Sequence, residues 1–169
     1  MDPLRYPAGG LGPADVREVR RIKARVEAER LPRGVEPARH LKLGPGGLGD
    51  VEWTVQLLQL RRAHDVAGLR TTATLEALHA AVAADLIAPA DARTLTDAWM
   101  LASRLRDALV LWSGRSGGAQ ADQLPHDRQA LAGLARVLGY PAGSGADLEE
   151  DYLRAARRAR TVVERLFYE

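Results

Sequence analysis

A glycine-rich turn followed by two carboxylates is the strongest candidate for chemistry in this chain. The pattern Lys-x-Gly-x-Gly-Gly-x-x-Asp-x-Glu contains Lys42, Gly46, Gly47, Asp50 and Glu52. A helix N-terminus exposes unpaired N–H groups, which favour nearby carboxylates and can bind phosphate. These five residues are the candidate nucleotide-binding residues. A structural turn with a helix cap explains the same pattern, and a lone lysine such as Lys42 is more often solvated.

The residues alone leave the function open. The turn has neither the Lys-Ser or Lys-Thr that ends a phosphate-binding P-loop nor the three glycines of the dinucleotide fingerprint. The chain has no His-x-x-x-His pair for zinc and no serine in a nucleophile-elbow motif. We therefore expect no metal site here and no serine nucleophile.

The wider context is more specific. A helix rich in arginine and lysine comes before the turn, and an apolar helix with glutamines follows it, ending in Arg61-x-x-His64. Over residues 17–64 this order resembles the glutamine synthetase adenylyltransferases, which attach AMP to glutamine synthetase and remove it. A general helical resemblance extends from about Pro3 to the end. Uridylyltransferases that act on PII-type signalling proteins have a related glycine-rich helix start.

The catalytic motif of that superfamily, a Gly-Ser turn followed by Asp-x-Asp, does not occur in these 169 residues. The nearest string, from Gly143 to Asp147, is more typical of a helix start. The resemblance thus implies a C-terminal helical piece of a longer enzyme, without catalytic residues and inactive alone. It implies ATP and Mg²⁺ for the full enzyme, with neither bound by this piece alone. The chain end at Glu169 favours the adenylylating half.

Partners follow from the same resemblance: glutamine synthetase, a PII-type signalling protein and an upstream catalytic domain of the same chain. Lys and Arg number 24 against 22 Asp and Glu, so the net charge is only +2 despite a calculated pI of 9.3. This near balance argues against a nucleic-acid partner. There is no cysteine, no signal peptide is visible and no apolar run reaches membrane-spanning length. We expect a cytoplasmic protein with no membrane contact.

Hydrophobic periodicity predicts an all-α fold, a bundle of about six helices. Composition favours one compact unit, with 1–47 as loop, first helix and glycine-rich linker from a missing nucleotidyltransferase domain, and 48–169 as the bundle. One short extended segment is expected near residues 39–43. The predicted helices cover residues 14–30, 48–65, 74–84, 90–112, 127–138 and 147–168.

Several expectations concern side-chain placement. The basic residues of the first helix should be solvated or face another domain, the three tryptophans should pack in the core, and Asp50 and Glu52 should point in different directions. Glu52, Gln56 and Gln59 should form a polar strip. Ser144 should cap the last helix in a variant capping box.

Three functions compete at this point. The first is an accessory bundle that supports the adenylyltransferase site and orients glutamine synthetase. The second is a regulatory module that receives a PII-type protein or senses glutamine, which requires an exposed apolar or aromatic patch. The third is a nucleic-acid-binding bundle, which requires steeply salt-dependent binding.

Overall fold

The computed structural model describes residues 6, 8–114 and 122–169. These residues form an all-α bundle of six α-helices with no strand or sheet, as the periodicity predicts. The predicted loop between Ser113 and Pro125 lies in part outside the described residues. The helices are α1 (Pro13–Arg30), α2 (Leu48–Arg62), α3 (Thr74–Ala83), α4 (Pro89–Ser113), α5 (Arg128–Val137) and α6 (Gly145–Val163).

Local signals explain where these helices begin and end. Pro13 occupies the first position of α1, where its missing N–H costs nothing. Asp127 caps α5 by accepting the Ala130 N–H at 2.7 Å. Helix α4 ends at Gly114, whose φ of +66° is the left-handed conformation typical of a helix C-terminus. Ser144 is the N-cap residue of α6, as predicted, but its side chain makes no capping hydrogen bond, so the predicted capping box is wrong.

Two apolar clusters hold the bundle together. The first joins α2 and α3 to the start of α4 and the end of α6, and the second joins the rest of α4 to α5 and the start of α6. Trp99 packs against both clusters, so they form one continuous interior. Helix α2 contacts α1, α3, α4 and α6, as expected of a central helix. Burial of these apolar side chains is the main term that stabilises such a fold.

The extended segment predicted near residues 39–43 is wrong, because these residues do not form a strand. Pro37–Arg39 is a 3₁₀ turn, and within the described chain His40 forms a single isolated bridge to Gln123. The reason is local hydrogen bonding. The His40 Nδ1 accepts the N–H groups of Lys42 and Leu43 at 3.3 and 3.1 Å, and its carbonyl accepts the Gly44 N–H at 2.8 Å. These bonds curl the chain into a turn after His40, so the pairing with Gln123 does not extend into a longer ladder.

Helix α6 continues into a π-helical turn, Glu164–Tyr168. This turn brings Phe167 and Tyr168 back towards α1 and α2, and Phe167 is fully buried. The predicted last helix ran to residue 168 as regular α-helix, so its extent is correct and its last turn differs. No helix in the described ranges combines the length and apolar character needed to cross a membrane.

Candidate functional site

The glycine turn is packed inside the molecule. A Cβ built on Gly46 would lie 1.9 Å from the Ala156 carbonyl oxygen of α6, and the φ of Gly46 is +72°. A Cβ on Gly47 would lie 2.6 Å from the Leu41 carbonyl oxygen. Real side chains do not tolerate such distances, so both positions need glycine for a close backbone approach. The turn therefore joins the start of α2 to α6.

Four consecutive N–H groups, from Gly46 to Gly49, already have partners where the glycine turn enters α2. Leu48 and Gly49 donate to the carbonyls of Leu41 and Lys42 at 2.9 and 2.8 Å, and Gly47 donates to Gly44 at 2.9 Å. Gly46 donates to the Asp50 carboxylate at 2.7 Å. A phosphate bound at a helix N-terminus needs such donors free. Here they are used within the chain.

Asp50 is the most buried of the predicted site residues that carry a charge. Its side chain is 1% exposed and accepts hydrogen bonds from three parts of the chain. The Lys23 ammonium of α1 lies 2.5 Å away, and the Arg160 guanidinium of α6 lies 3.0 Å away. The Gly46 N–H completes the set. Asp50 therefore lies at a junction of α1, the glycine turn and α6.

The electrostatics of this junction follow from burial and charge pairing. Burial by itself raises the pKa of Asp50, but the Lys23 charge and the hydrogen bonds from Lys23 and Gly46 hold that pKa below its ordinary value. Burial lowers the pKa of Lys23, but the charge of Asp50 together with the hydrogen bonds to Asp50 and Glu27 outweighs burial, so the pKa of Lys23 is raised. Both groups are therefore charged at neutral pH.

Glu52 points in a different direction from Asp50, as predicted. Its carboxylate accepts the Trp99 indole N–H at 3.4 Å. With Gln56 and Gln59 it lines a cavity of about 260 Å³, so the predicted polar strip is real. The other lining residues are Tyr6, Val55, Leu60, Thr71, Thr72 and Thr74.

Lys42 is the one exposed member of the predicted site. Its carbonyl accepts the Gly49 N–H, while the residue itself lies on the surface. The structure thus brings Gly46 and Asp50 together, and directs Glu52 to a separate cavity. Contact of any of the five residues with a nucleotide stays a prediction.

Two basic residues at the junction were not predicted. Lys23 has no exposed side-chain area, although the basic residues of α1 were expected on solvated or interdomain faces. That expectation is wrong for Lys23. Its position seven residues after the buried Val16 places it on the inward face of α1, and this spacing was the available signal. No local pattern pointed to Arg160, because its partner is 110 residues away.

Arg39 is a second buried cation that the sequence did not reveal. Its guanidinium pairs with Glu149 of α6 and donates to the carbonyls of Leu124 and Pro125. It therefore ties the segment before the glycine turn to the segment before α5. This arrangement is structural, since all its partners belong to the fold.

One tryptophan lies outside the core. Trp53 and Trp99 are partly buried against the apolar clusters, but Trp112 is 47% exposed at the end of α4. Its ring lies over Gly133 of α5, where a Cβ would be 2.5 Å from the ring carbons. Trp112 was expected to pack in the core, and this is wrong because α4 extends to the edge of the bundle.

Comparison with known proteins identifies the family of this chain. Residues 18–169 match the family model described as GlnD PII-uridylyltransferase. The chain belongs to this family. It is also 58% identical to the bifunctional glutamine synthetase adenylyltransferase/adenylyl-removing enzyme of Streptomyces coelicolor, and 55% and 54% identical to the enzymes of the same name from Streptomyces avermitilis and Nocardia farcinica.

Each of these three alignments covers 99% of the chain and 16% of the relative's length. The resemblance to glutamine synthetase adenylyltransferases is therefore confirmed and extends well beyond the glycine turn. The chain spans a small part of proteins several times its size.

Proposed function

We propose that this chain is the helical part of a longer enzyme that adenylylates glutamine synthetase and removes the adenylyl group. In that enzyme it supports the catalytic domain and helps to orient glutamine synthetase, and so takes part in the regulation of nitrogen assimilation. The observation that carries the proposal is the 58% identity to an enzyme of that name over 99% of the chain.

Two observations support placing Mg²⁺ and ATP elsewhere in the longer enzyme. No group of three or more His, Asp or Glu side chains in ranges 8–114 and 122–169 is placed to hold a metal ion. The N–H donors of the glycine turn are used by Asp50 and by backbone carbonyls. We therefore assign nucleotide and metal binding to another part of the longer protein, upstream of this chain.

In this proposal, the bundle contributes by holding other parts of the enzyme in place. The glycine turn is fixed to α6 at Ala156, and Asp50 links it to α1 and α6. Lys42 lies exposed on the outside of this fixed turn and is free to meet a group of the catalytic domain. Rigid support of this kind holds reacting groups in a productive geometry, which is a large part of enzymatic rate enhancement.

The test is transfer of labelled AMP from ATP to glutamine synthetase. We expect no transfer by this chain alone, and activity when it is combined with the upstream segment. Label transferred by the chain alone would place the catalytic residues within it and contradict the assignment above. Full activity of the upstream segment without the bundle would remove the accessory role.

A second function is favoured by one surface feature. Leu111 and Trp112 at the end of α4 are 74% and 47% exposed, and Val137 of α5 is also exposed, one turn after the glycine under the Trp112 ring. Exposed apolar side chains of this kind suit protein contact. With the family description, they support a docking site for a PII-type signalling protein.

Calorimetric titration of the full-length protein with a PII-type protein tests this second function. Trp112→Ala should weaken binding if the end of α4 is the docking site. Met100→Ala is the matched control, because Met100 is also exposed on α4 and lies three turns away. If Trp112→Ala binds the PII-type protein as tightly as Met100→Ala does, the end of α4 is not the docking site.

A further inference from the structure

Helix α1 is attached to the bundle differently over its two halves. In its first half, Val16 is buried and Val19 packs against the first apolar cluster. In its second half, the one buried residue is Lys23. Ile22 and Val26 are only partly buried. The second half of α1 is therefore held mainly by polar contacts.

Lys23 uses all three donors of its ammonium group. Its Nζ lies 2.5 Å from Asp50 Oδ1, 2.5 Å from Glu27 Oε1 and 3.2 Å from the Tyr168 hydroxyl oxygen. The rings of Phe167 and Tyr168 lie with their centroids 5.5 Å from the same nitrogen. A buried cation is stable only with such partners, and here each partner fixes its direction.

Asp50, the acceptor in this ion pair, is also held by several hydrogen bonds. Asp50 Oδ1 accepts from Lys23, while Oδ2 accepts from Gly46 and Arg160. Arg160 also donates to Glu164 at 2.9 Å, and Arg20 of α1 donates to the Phe167 carbonyl at 2.5 Å. The contacts therefore define one orientation of α1 on the glycine turn and on the end of α6.

We propose that Lys23 is a positioning residue for adenylyl transfer, which with Asp50 and Arg160 holds α1 in a fixed orientation on the glycine turn. This inference rests on the proposed function, because it needs α1 to connect the bundle to a catalytic domain. Apolar contacts tolerate sliding, whereas hydrogen-bonded ion pairs are directional and can specify one arrangement. Lys23 touches no substrate and acts through the placement of α1.

The experiment uses the full-length protein that contains this chain, with Lys23→Met as the variant. We expect kcat for AMP transfer to fall by about tenfold to a hundredfold, with KM values for ATP and glutamine synthetase within about twofold, because placement changes while substrate contacts do not. Arg17→Met is the matched control, since Arg17 is an exposed cation of the same helix. It should retain wild-type kcat.

Hydrogen exchange gives a second readout that does not depend on catalysis. Amides of residues 20–30 should exchange at least about tenfold faster in Lys23→Met, while the amides of α4 keep wild-type protection because the core is intact. Wild-type exchange across residues 20–30 would show that Lys23 does not fix α1, and would overturn the inference whatever the value of kcat.

A double variant separates positioning from the cost of an unpaired buried charge. Lys23→Met with Asp50→Asn removes both members of the pair and leaves Arg160 paired with Glu164. A positioning role predicts that kcat stays low in the double variant. Recovery of wild-type kcat would show that the single variant acted only through the unpaired carboxylate, and would overturn the proposal.

The same experiments distinguish the inference from the function on which it rests. If the wild-type full-length protein transfers no AMP to glutamine synthetase, the proposed function fails. The exchange measurement then decides whether Lys23 fixes α1. If the wild type is active and Lys23→Met matches Arg17→Met in kcat, the proposed function stands and the positioning role fails.

Discussion

Gly46 and Ala156 bring the glycine turn and α6 into backbone contact. The space at Gly46 is filled by the Ala156 carbonyl, and the residue has a left-handed φ of +72°. Both conditions exclude a larger residue, the first by steric overlap and the second by backbone strain. The glycine turn is therefore part of the packing between α2 and α6.

Gly46→Ala should destabilise the protein strongly. We expect a loss of about 3–5 kcal/mol in the free energy of unfolding, because the backbone of α6 must move to accommodate the Cβ and the left-handed conformation costs a further share. Urea denaturation followed by circular dichroism measures this change.

Gly139→Ala is the matched control for that variant. Gly139 has a φ of +84°, but a Cβ there would meet nothing within 4 Å. Gly139→Ala should therefore lower the free energy of unfolding only by the cost of the left-handed conformation, about 1–2 kcal/mol. Equal losses at the two positions would mean that contact with Ala156 contributes nothing.

Much of the fold follows from local patterns in the sequence. The six helices were predicted within about three residues at most ends, because apolar spacing, prolines and glycines act over one or two turns. The π-helical turn Glu164–Tyr168 after α6 was not predicted. Phe167 and Tyr168 in this turn pack on Lys23 of α1, which is 145 residues away from Tyr168 in sequence. Such a contact leaves no local trace.

The candidate site was predicted less completely. The motif identified Asp50 and showed that Glu52 faces elsewhere, because three- and four-residue spacing determines helix faces. It could not show that Lys23 and Arg160 converge on Asp50, since they lie 27 and 110 residues away in sequence. The partners of a buried charge depend on tertiary packing, which periodicity alone does not specify.

Asp50→Asn should destabilise the bundle even though the side chain keeps its shape. The change leaves Lys23 fully buried, and among the described residues Glu27 is then its one anionic partner. Loss of one member of a buried ion pair typically costs about 3–5 kcal/mol. Thermal unfolding monitored by circular dichroism should show a clearly lower midpoint.

The comparison for Asp50→Asn is Asp65→Asn. Asp65 is an exposed carboxylate paired with the neighbouring Arg62 at 3.3 Å, and exposed pairs contribute little. Its midpoint should match the wild type. A midpoint for Asp50→Asn as high as that of Asp65→Asn would show that the buried pair does not stabilise the fold.

Acid should weaken the fold through Asp50. Its pKa is lowered in the folded protein, so its contribution to stability is complete above the unfolded value, which is near 3.8, and is lost as pH falls through the lower folded value. Unfolding free energies measured by urea titration between about pH 2 and 6 should decline in this low range. The decline should be smaller in Asp50→Asn.

Glu27 acts in the opposite direction over a higher pH range. Burial raises its pKa, although Lys23 partly offsets this, so its contribution is lost as pH rises through the folded value. In the wild type this loss of stability should begin above about pH 4.5, and Glu27→Gln should abolish it. The decline at low pH, which depends on Asp50, should remain in this variant. A steeper acid decline in Glu27→Gln than in the wild type would be inconsistent with this assignment.

Gln59 fastens the segment between α2 and α3. Its amide nitrogen donates to the carbonyls of Leu69 and Thr71 at 2.8 and 2.7 Å. Gln59→Leu leaves both carbonyls without this donor, at an expected cost of about 1–3 kcal/mol. Because Arg70 lies between the two carbonyls, the variant should also be cleaved faster by trypsin after Arg70.

Gln56→Leu controls for the added apolar side chain on the same strip. Gln56 lies beside the same cavity and is exposed, so its replacement should leave both stability and the cleavage rate near wild type. Arg70 itself donates to the carbonyls of Ala63 and His64, which limits how far the segment can open. Cleavage after Arg70 at equal rates in the two variants would mean that these Arg70 contacts hold the segment without Gln59.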